Sequence, residues 1–169
     1  MYFQNFRNKK ANAVTDSLTI MIALFIFAIM SIAAYMTFDS INDDIQASDD
    51  LNDRTKETSN QLYNNFAPTL DAAFLMAFVL FTVFAIVSVF FIDTHPVYFI
   101  MAVVLLFAVF TVGGFLANGF DDVVSDPTLA PYANDFRATS FIMGHLLESL
   151  GGVTLLVLIA LFAKFRSGI

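Results

Sequence analysis

The chain has 169 residues, of which 58% are hydrophobic and only 14% charged, with a formal net charge of −7. Soluble domains carry roughly a quarter charged residues and nucleic-acid binders need a basic face, so the composition argues against a water-soluble domain and against nucleic acid as a partner. Cysteine is absent, which excludes disulfides and thiolate metal sites and leaves the compartment open.

The length suits a single unit, one transmembrane domain over 1–169. Spanning a bilayer takes ~20 mostly apolar residues. Four runs qualify, and they predict an all-α integral membrane bundle of four transmembrane helices at about 17–38, 70–92, 96–117 and 140–164. In each run the apolar residues continue around every face, as expected for a helix in lipid. The first run has a rival reading as a signal peptide, with Arg7, Lys9 and Lys10 as its basic region and Ser31-Ile32-Ala33 as a cleavage site. Its apolar character continues to Phe38, which favours an uncleaved helix. The 21 phenylalanines suit lipid and helix contacts. With no tryptophan present, Tyr35, Tyr63 and Tyr98 are expected at the interfaces.

Lys and Arg close to the membrane set orientation. Arg7, Lys9 and Lys10 flank the first helix, and Lys164 and Arg166 flank the last. Both termini are therefore expected on the cytoplasmic side, N-in and C-in, with these five residues available to a membrane surface or a protein shell.

After the first helix comes an acidic external loop, 39–69, with Asp39, Asp43, Asp44, Asp49, Asp50, Asp53 and Glu57. The first helix can continue outward for two or three turns through Ile41 and Ile45, and beyond Ser48 the composition favours caps and turns. Asp49-Asp50-Leu51-Asn52-Asp53 lacks the central glycine and distal glutamate of a calcium loop, so a solvated loop is expected. Ile92-Asp93-Thr94-His95-Pro96 predicts a tight hairpin between helices 2 and 3, with Asp93 or Thr94 as cap and Pro96 in the first turn. Residues 118–139, with Pro127 and Pro131, read as a surface connection in which Arg137 can pair with a carboxylate.

Glu148 is the one acidic residue inside the apolar runs 17–38, 72–92, 97–116 and 141–163, which makes it the leading candidate for a functional site. Gly144, Glu148 and Gly152 are four apart and His145 lies three before Glu148, so these residues share one side of the last helix. Two roles compete: a protonatable pair that binds an ion or relays protons, and a polar contact that locks a helix packing built on small residues. The second is favoured, because the other three apolar runs offer no second acidic or basic residue to continue a path. Ala73, Ala77 and Ala85 on helix 2 and Gly113 and Gly114 on helix 3 are also expected to serve packing. Thr82, Ser88 and Thr111 are expected to bond to their own backbone. No phosphate loop, metal-ligand pair or nucleophile-base arrangement is present, so neither enzyme activity nor a cofactor is expected.

At Phe91-Ile92-Asp93-Thr94-His95-Pro96-Val97-Tyr98-Phe99 and Ser140-Phe141-Ile142-Met143-Gly144-His145-Leu146, the sequence resembles small multipass membrane proteins encoded by bacteriophages and other viruses. The short basic amino terminus, acidic first loop and turn after helix 2 are similar as well. The resemblance implies a structural component of a virion membrane that scaffolds the lipid or links it to a capsid. Its partners would be the bilayer, other membrane or capsid proteins, and further copies of itself. A pore or holin-like protein and an accessory subunit of a cellular membrane complex are the alternatives.

Overall fold

The computed structural model describes residues 9–88 and 96–167, with the backbone alone at 9–17, 96–106, 161, 165 and 167. The described chain is all-helical: α1 (Lys9–Ala47), α2 (Asp53–Ser88), α3 (Pro96–Val124), a short turn of helix α4 (Ala130–Ala133), α5 (Arg137–Gly144) and α6 (Leu146–Ser167). Four stretches are long and apolar enough to cross a membrane: Leu18–Ala47, Asp53–Ser88, Phe107–Val124 and Leu146–Lys164. The hairpin expected at 92–96 lies outside the described residues.

The first two helices are much longer than a bilayer requires. At 1.5 Å per residue, the 39 residues of α1 extend about 58 Å and the 36 of α2 about 54 Å, against a hydrocarbon thickness of ~30 Å. The stretch 39–69 is therefore mostly helix, with α1 continuing outward through Ile41 and Ile45 as expected. Helix continues on both sides of it, and only residues 48–52 connect α1 to α2.

Local chemistry explains where that turn falls. Asn52 Oδ1 accepts the Thr55 backbone N–H (2.8 Å) and the Thr55 hydroxyl (2.9 Å), capping the first turn of α2. The last carbonyls of α1 have no helical donors; Lys56 Nζ reaches back to donate to the Gln46 carbonyl (3.0 Å), placing a cation at a helix C-terminus. Acidic residues that look solvated in sequence thus lie on a capped two-helix hairpin.

The seam between α1 and α2 keeps a seven-residue period. Met21, Ala28, Tyr35 and Asn42 are all buried, and Ile32 fills the intervening step. This is the pattern of two helices wound around each other. The seam changes character along its length. Near the membrane it is apolar, with Phe27 stacked on Phe74 at 6.4 Å. Next comes an aromatic cluster in which Tyr35 stacks on Tyr63 at 5.2 Å and Phe38 on Phe66 at 5.1 Å. Beyond it the seam is polar: Ser59 Oγ donates to Asn42 Oδ1 (2.7 Å), and Gln46 Nε2 donates to the Lys56 carbonyl (2.9 Å). Tyr35 is buried within this seam.

Proline at position 68 sits inside α2. It removes the N–H that would bond to the Asn64 carbonyl, yet the helix continues through it.

The core lies at the end of the bundle nearest the α1–α2 hairpin. Phe74, Phe120, Phe136, Met143 and Thr139 are fully buried there, drawn from α2, α3, α5 and the segment before α5. Residues 118–139 are correspondingly not a surface connection. The third helix runs on to Val124, and α4 with Ala133 and Phe136 folds inward as a plug. Below this plug, large apolar side chains point outward: Phe84, Phe107, Phe115 and Phe162 are each about 70% exposed, the surface expected against lipid. At Gly113 an added Cβ would lie 2.7 Å from Leu150 Cδ1, so glycine there sets the approach of α3 to α6. A Cβ added at the neighbouring Gly114 would meet nothing within 4 Å, and Ala73 and Ala77 are exposed, so among the described residues these small residues make no close helix contact. Thr82, Ser88 and Thr111 do bond to their own helices, accepting no outside partner (2.7–3.0 Å to Phe78, Ala85 and Phe107 carbonyls).

Truncating Phe136 removes a large side chain from the middle of the plug. Phe136→Ala is expected to cost roughly 3–5 kcal/mol, whereas Phe84→Ala, on the lipid-facing surface, costs much less. Thermal unfolding in detergent micelles, followed by circular dichroism, separates the two.

Candidate functional site

Two places gather polar groups. The first is where the plug meets α1 and α2. The fifth helix starts after Phe136, which has no side-chain oxygen to cap it. Its free N–H groups are satisfied from another helix: Asp71 of α2 accepts the Thr139 N–H (2.7 Å) and hydroxyl (2.8 Å) at Oδ1, and the Ala138 N–H (3.0 Å) at Oδ2. Three charge-assisted bonds to one carboxylate, set at the positive end of a helix, fix α5 against α2. Nearby, the Tyr132 hydroxyl donates to Asp39 Oδ2 (2.8 Å), tying α4 to α1. That bond holds the Tyr132 phenol above the ordinary tyrosine range, because the carboxylate stabilises the protonated hydroxyl. Asp126 shapes the turn before α4 by accepting the Thr128 N–H (2.8 Å), which lowers its carboxyl below the usual range.

Beside Asp71 lies an open recess of about 600 Å³, lined by Asn64, Pro68, Leu75, Asp135 and Arg137 among others. Arg137 is exposed and makes no ion pair among the described residues, contrary to the expected pairing with a loop carboxylate. The residue missed from sequence is Asp71. Its signal was a carboxylate at the head of an apolar run, one position before Ala72. Nothing local to it names a helix that starts more than sixty residues later.

The second place is the junction of α5 and α6, which carries the residues that sequence singled out. The expected continuous last helix is distorted at His145, with φ −117° and ψ 37°, although backbone bonds His145 N–H to Phe141 O (3.1 Å) and Ser149 N–H to His145 O (2.9 Å) bridge the distortion. The His145 ring stacks on Phe141 (4.8 Å), with Nδ1 3.0 Å from the Phe141 carbonyl. A carbonyl only accepts, so Nδ1 carries the hydrogen and Nε2 is left open. Glu148 lies in the first turn of α6, near the positive end of that helix. Gly144, His145, Glu148 and Gly152 are all exposed. A Cβ at Gly152 would meet nothing within 4 Å, and one at Gly144 only Asp121 Oδ1 at 3.9 Å. The structure therefore leaves these four residues exposed, and among the described residues only the Asp121 side chain of α3 comes near one of them, at Gly144.

The basic flanks separate. Arg7 lies outside the described residues, and Lys9 and Lys10 open α1. Lys164 is buried and engaged within the chain, while Arg166 is exposed; both lie in the last turn of α6, where cations complement the helix dipole. Among the described residues no three His, Asp or Glu side chains converge as metal ligands.

Comparison with known protein families, with curated proteins and with solved structures finds no match to this chain.

Removing the Asp71 carboxylate leaves three donors at the start of α5 without an acceptor. Asp71→Ala is expected to cost about 2 kcal/mol, and Asp71→Asn, which keeps one acceptor oxygen, less. Denaturation in micelles measures both, and equal stability of all three chains would show that the cap is dispensable.

Proposed function

We propose that the chain is a non-enzymatic structural protein of a lipid membrane, a scaffold rather than a channel or catalyst. The observation that carries this reading is the contrast between its two ends: a bundle whose apolar side chains face outward over four spans, and a capped acidic two-helix hairpin in which α1 continues through residues 39–47, about 13 Å past its apolar run. The polar groups of the plug are spent on holding helices together. Asp71 and Asp39 are occupied by α5 and Tyr132.

In this reading the basic termini stand on the cytoplasmic face and the acidic hairpin projects from the other, following the distribution of Lys and Arg. The resemblance to viral multipass proteins supports a virion as the setting, with Lys9, Lys10 and Arg166 facing a capsid shell and anionic headgroups.

Reconstitution into liposomes tests the scaffold reading. No ion flux above that of empty vesicles is expected. A flux that disappears in Glu148→Gln would establish the pore reading in its place. Orientation is tested separately by single cysteines at Ser48 and Ser167 in intact cells: an impermeant thiol reagent is expected to label the first and spare the second, and the opposite pattern would invert the topology.

A further inference from the structure

The face of α5 and α6 that touches no other helix of the chain has an order of its own. Phe141, Glu148, Leu155 and Phe162 follow one another at intervals of seven. His145, Gly152 and Ile159 interleave, so the steps along the line alternate four and three. All seven positions are exposed, and the apolar ones strongly so: Phe141 65%, Leu155 60%, Ile159 56% and Phe162 69%. Steps of four and three are those of a helix wound against a parallel neighbour.

Glu148 lies within this apolar line, about 10 Å below Phe141 at 1.5 Å per residue and inside the span Leu146–Lys164. It makes no hydrogen bond or ion pair among the described residues. The apolar runs at 18–38, 72–88 and 107–116 contain no Asp, Glu, Lys, Arg or His. A carboxyl facing hydrocarbon without a partner is costly, and such residues almost always turn to protein or water.

We infer that this face is covered by the same face of a second copy of the chain, with Glu148 of each copy bonded to His145 of the other. The line is complementary to itself. Around a two-fold axis along the membrane normal, two α6 helices run parallel and present both a carboxyl and an imidazole to the same pair on the partner. Helical side chains lean toward the N-terminus of their helix, so Glu148 reaches toward the level of His145, one turn above it. His145 is prepared for that contact: its Nδ1 is held by the Phe141 carbonyl, and Nε2 stays open. Gly152, where an added Cβ would meet nothing, lets the two backbones approach just below the polar layer. A different membrane protein would need to supply its own matching acid and base at this depth, whereas a second copy brings both. The association is independent of the scaffold reading, since a pore could be built on it equally.

The chain contains no cysteine, so single cysteines report without background. In lipid vesicles under oxidation, full-length Gly152→Cys is expected to form a disulfide dimer at least tenfold more readily than Phe84→Cys, which lies on the exposed face of α2. Adding Glu148→Leu or His145→Leu to Gly152→Cys should lower the yield at least tenfold. Both residues are exposed, and circular dichroism checks that the variants stay helical. Equal cross-linking at the two cysteines, or a dimer untouched by both leucine changes, would overturn the assignment. Energy transfer between chains labelled at Ser48→Cys, away from the interface, gives a second measurement on an unaltered α6. Transfer should persist on lipid dilution, and a fall to the level of random proximity would leave this face to a different partner and end the proposal.

Discussion

The carboxylate of Asp71 holds together two parts of the chain that the membrane would otherwise leave apart. The first N–H groups of a helix have no acceptor within that helix, and where they turn toward the protein they must be satisfied by it. The segment before α5 supplies no cap of its own, so the α2 carboxylate takes Ala138 and Thr139 instead. With α5 fixed, Phe136 and Met143 are set into the space between α2 and α3, and α6 descends beside Gly113 of α3. The same requirement accounts for Thr82 and Thr111, whose hydroxyls return to their own helical carbonyls rather than face hydrocarbon.

The α1–α2 pair extends this principle beyond the bilayer. Within the apolar zone, helix is nearly obligatory. Outside it, water competes for every backbone group, and a long hairpin persists only if its seam and its ends are secured. Here the seam passes from apolar through aromatic to amide and hydroxyl contacts, matching its surroundings as it leaves the lipid. Asn42 is 5% and Ser59 6% exposed, and their mutual hydrogen bond makes burial of both tolerable. The result is an acidic two-helix projection on a bundle of helices able to span a membrane.

The plug and the open α6 face differ in one instructive respect. At the plug, every polar side chain that enters the protein finds a partner in the same chain. On the α6 face, the carboxyl of Glu148 and the Nε2 of His145 do not. What sets this pair apart from the exposed acids of the hairpin is its place inside a candidate span, where water is scarce, and a second copy supplies what is missing.

Hydrophobic run length by itself determined that the protein is helical and has four segments able to span a membrane, because a bilayer imposes a thickness that apolar runs either reach or do not. The self-bonded Thr82 and Thr111 were legible for a similar reason: their partners lie four residues away. The outward continuation of α1 through Ile41 and Ile45 was legible too, but the stretch beyond Ser48 misled because Asp, Asn, Ser and Thr favour turns locally, while a seam of Asn42, Ser59, Tyr63 and Phe66 between the two helices outweighs that preference. Only tertiary structure decided that Asp71 caps α5, that Phe136 is buried, and that Gly144, Glu148 and Gly152 face away from the bundle. Each depends on which helix lies beside which, and contacts between residues some seventy positions apart leave no periodic trace in the chain that makes them.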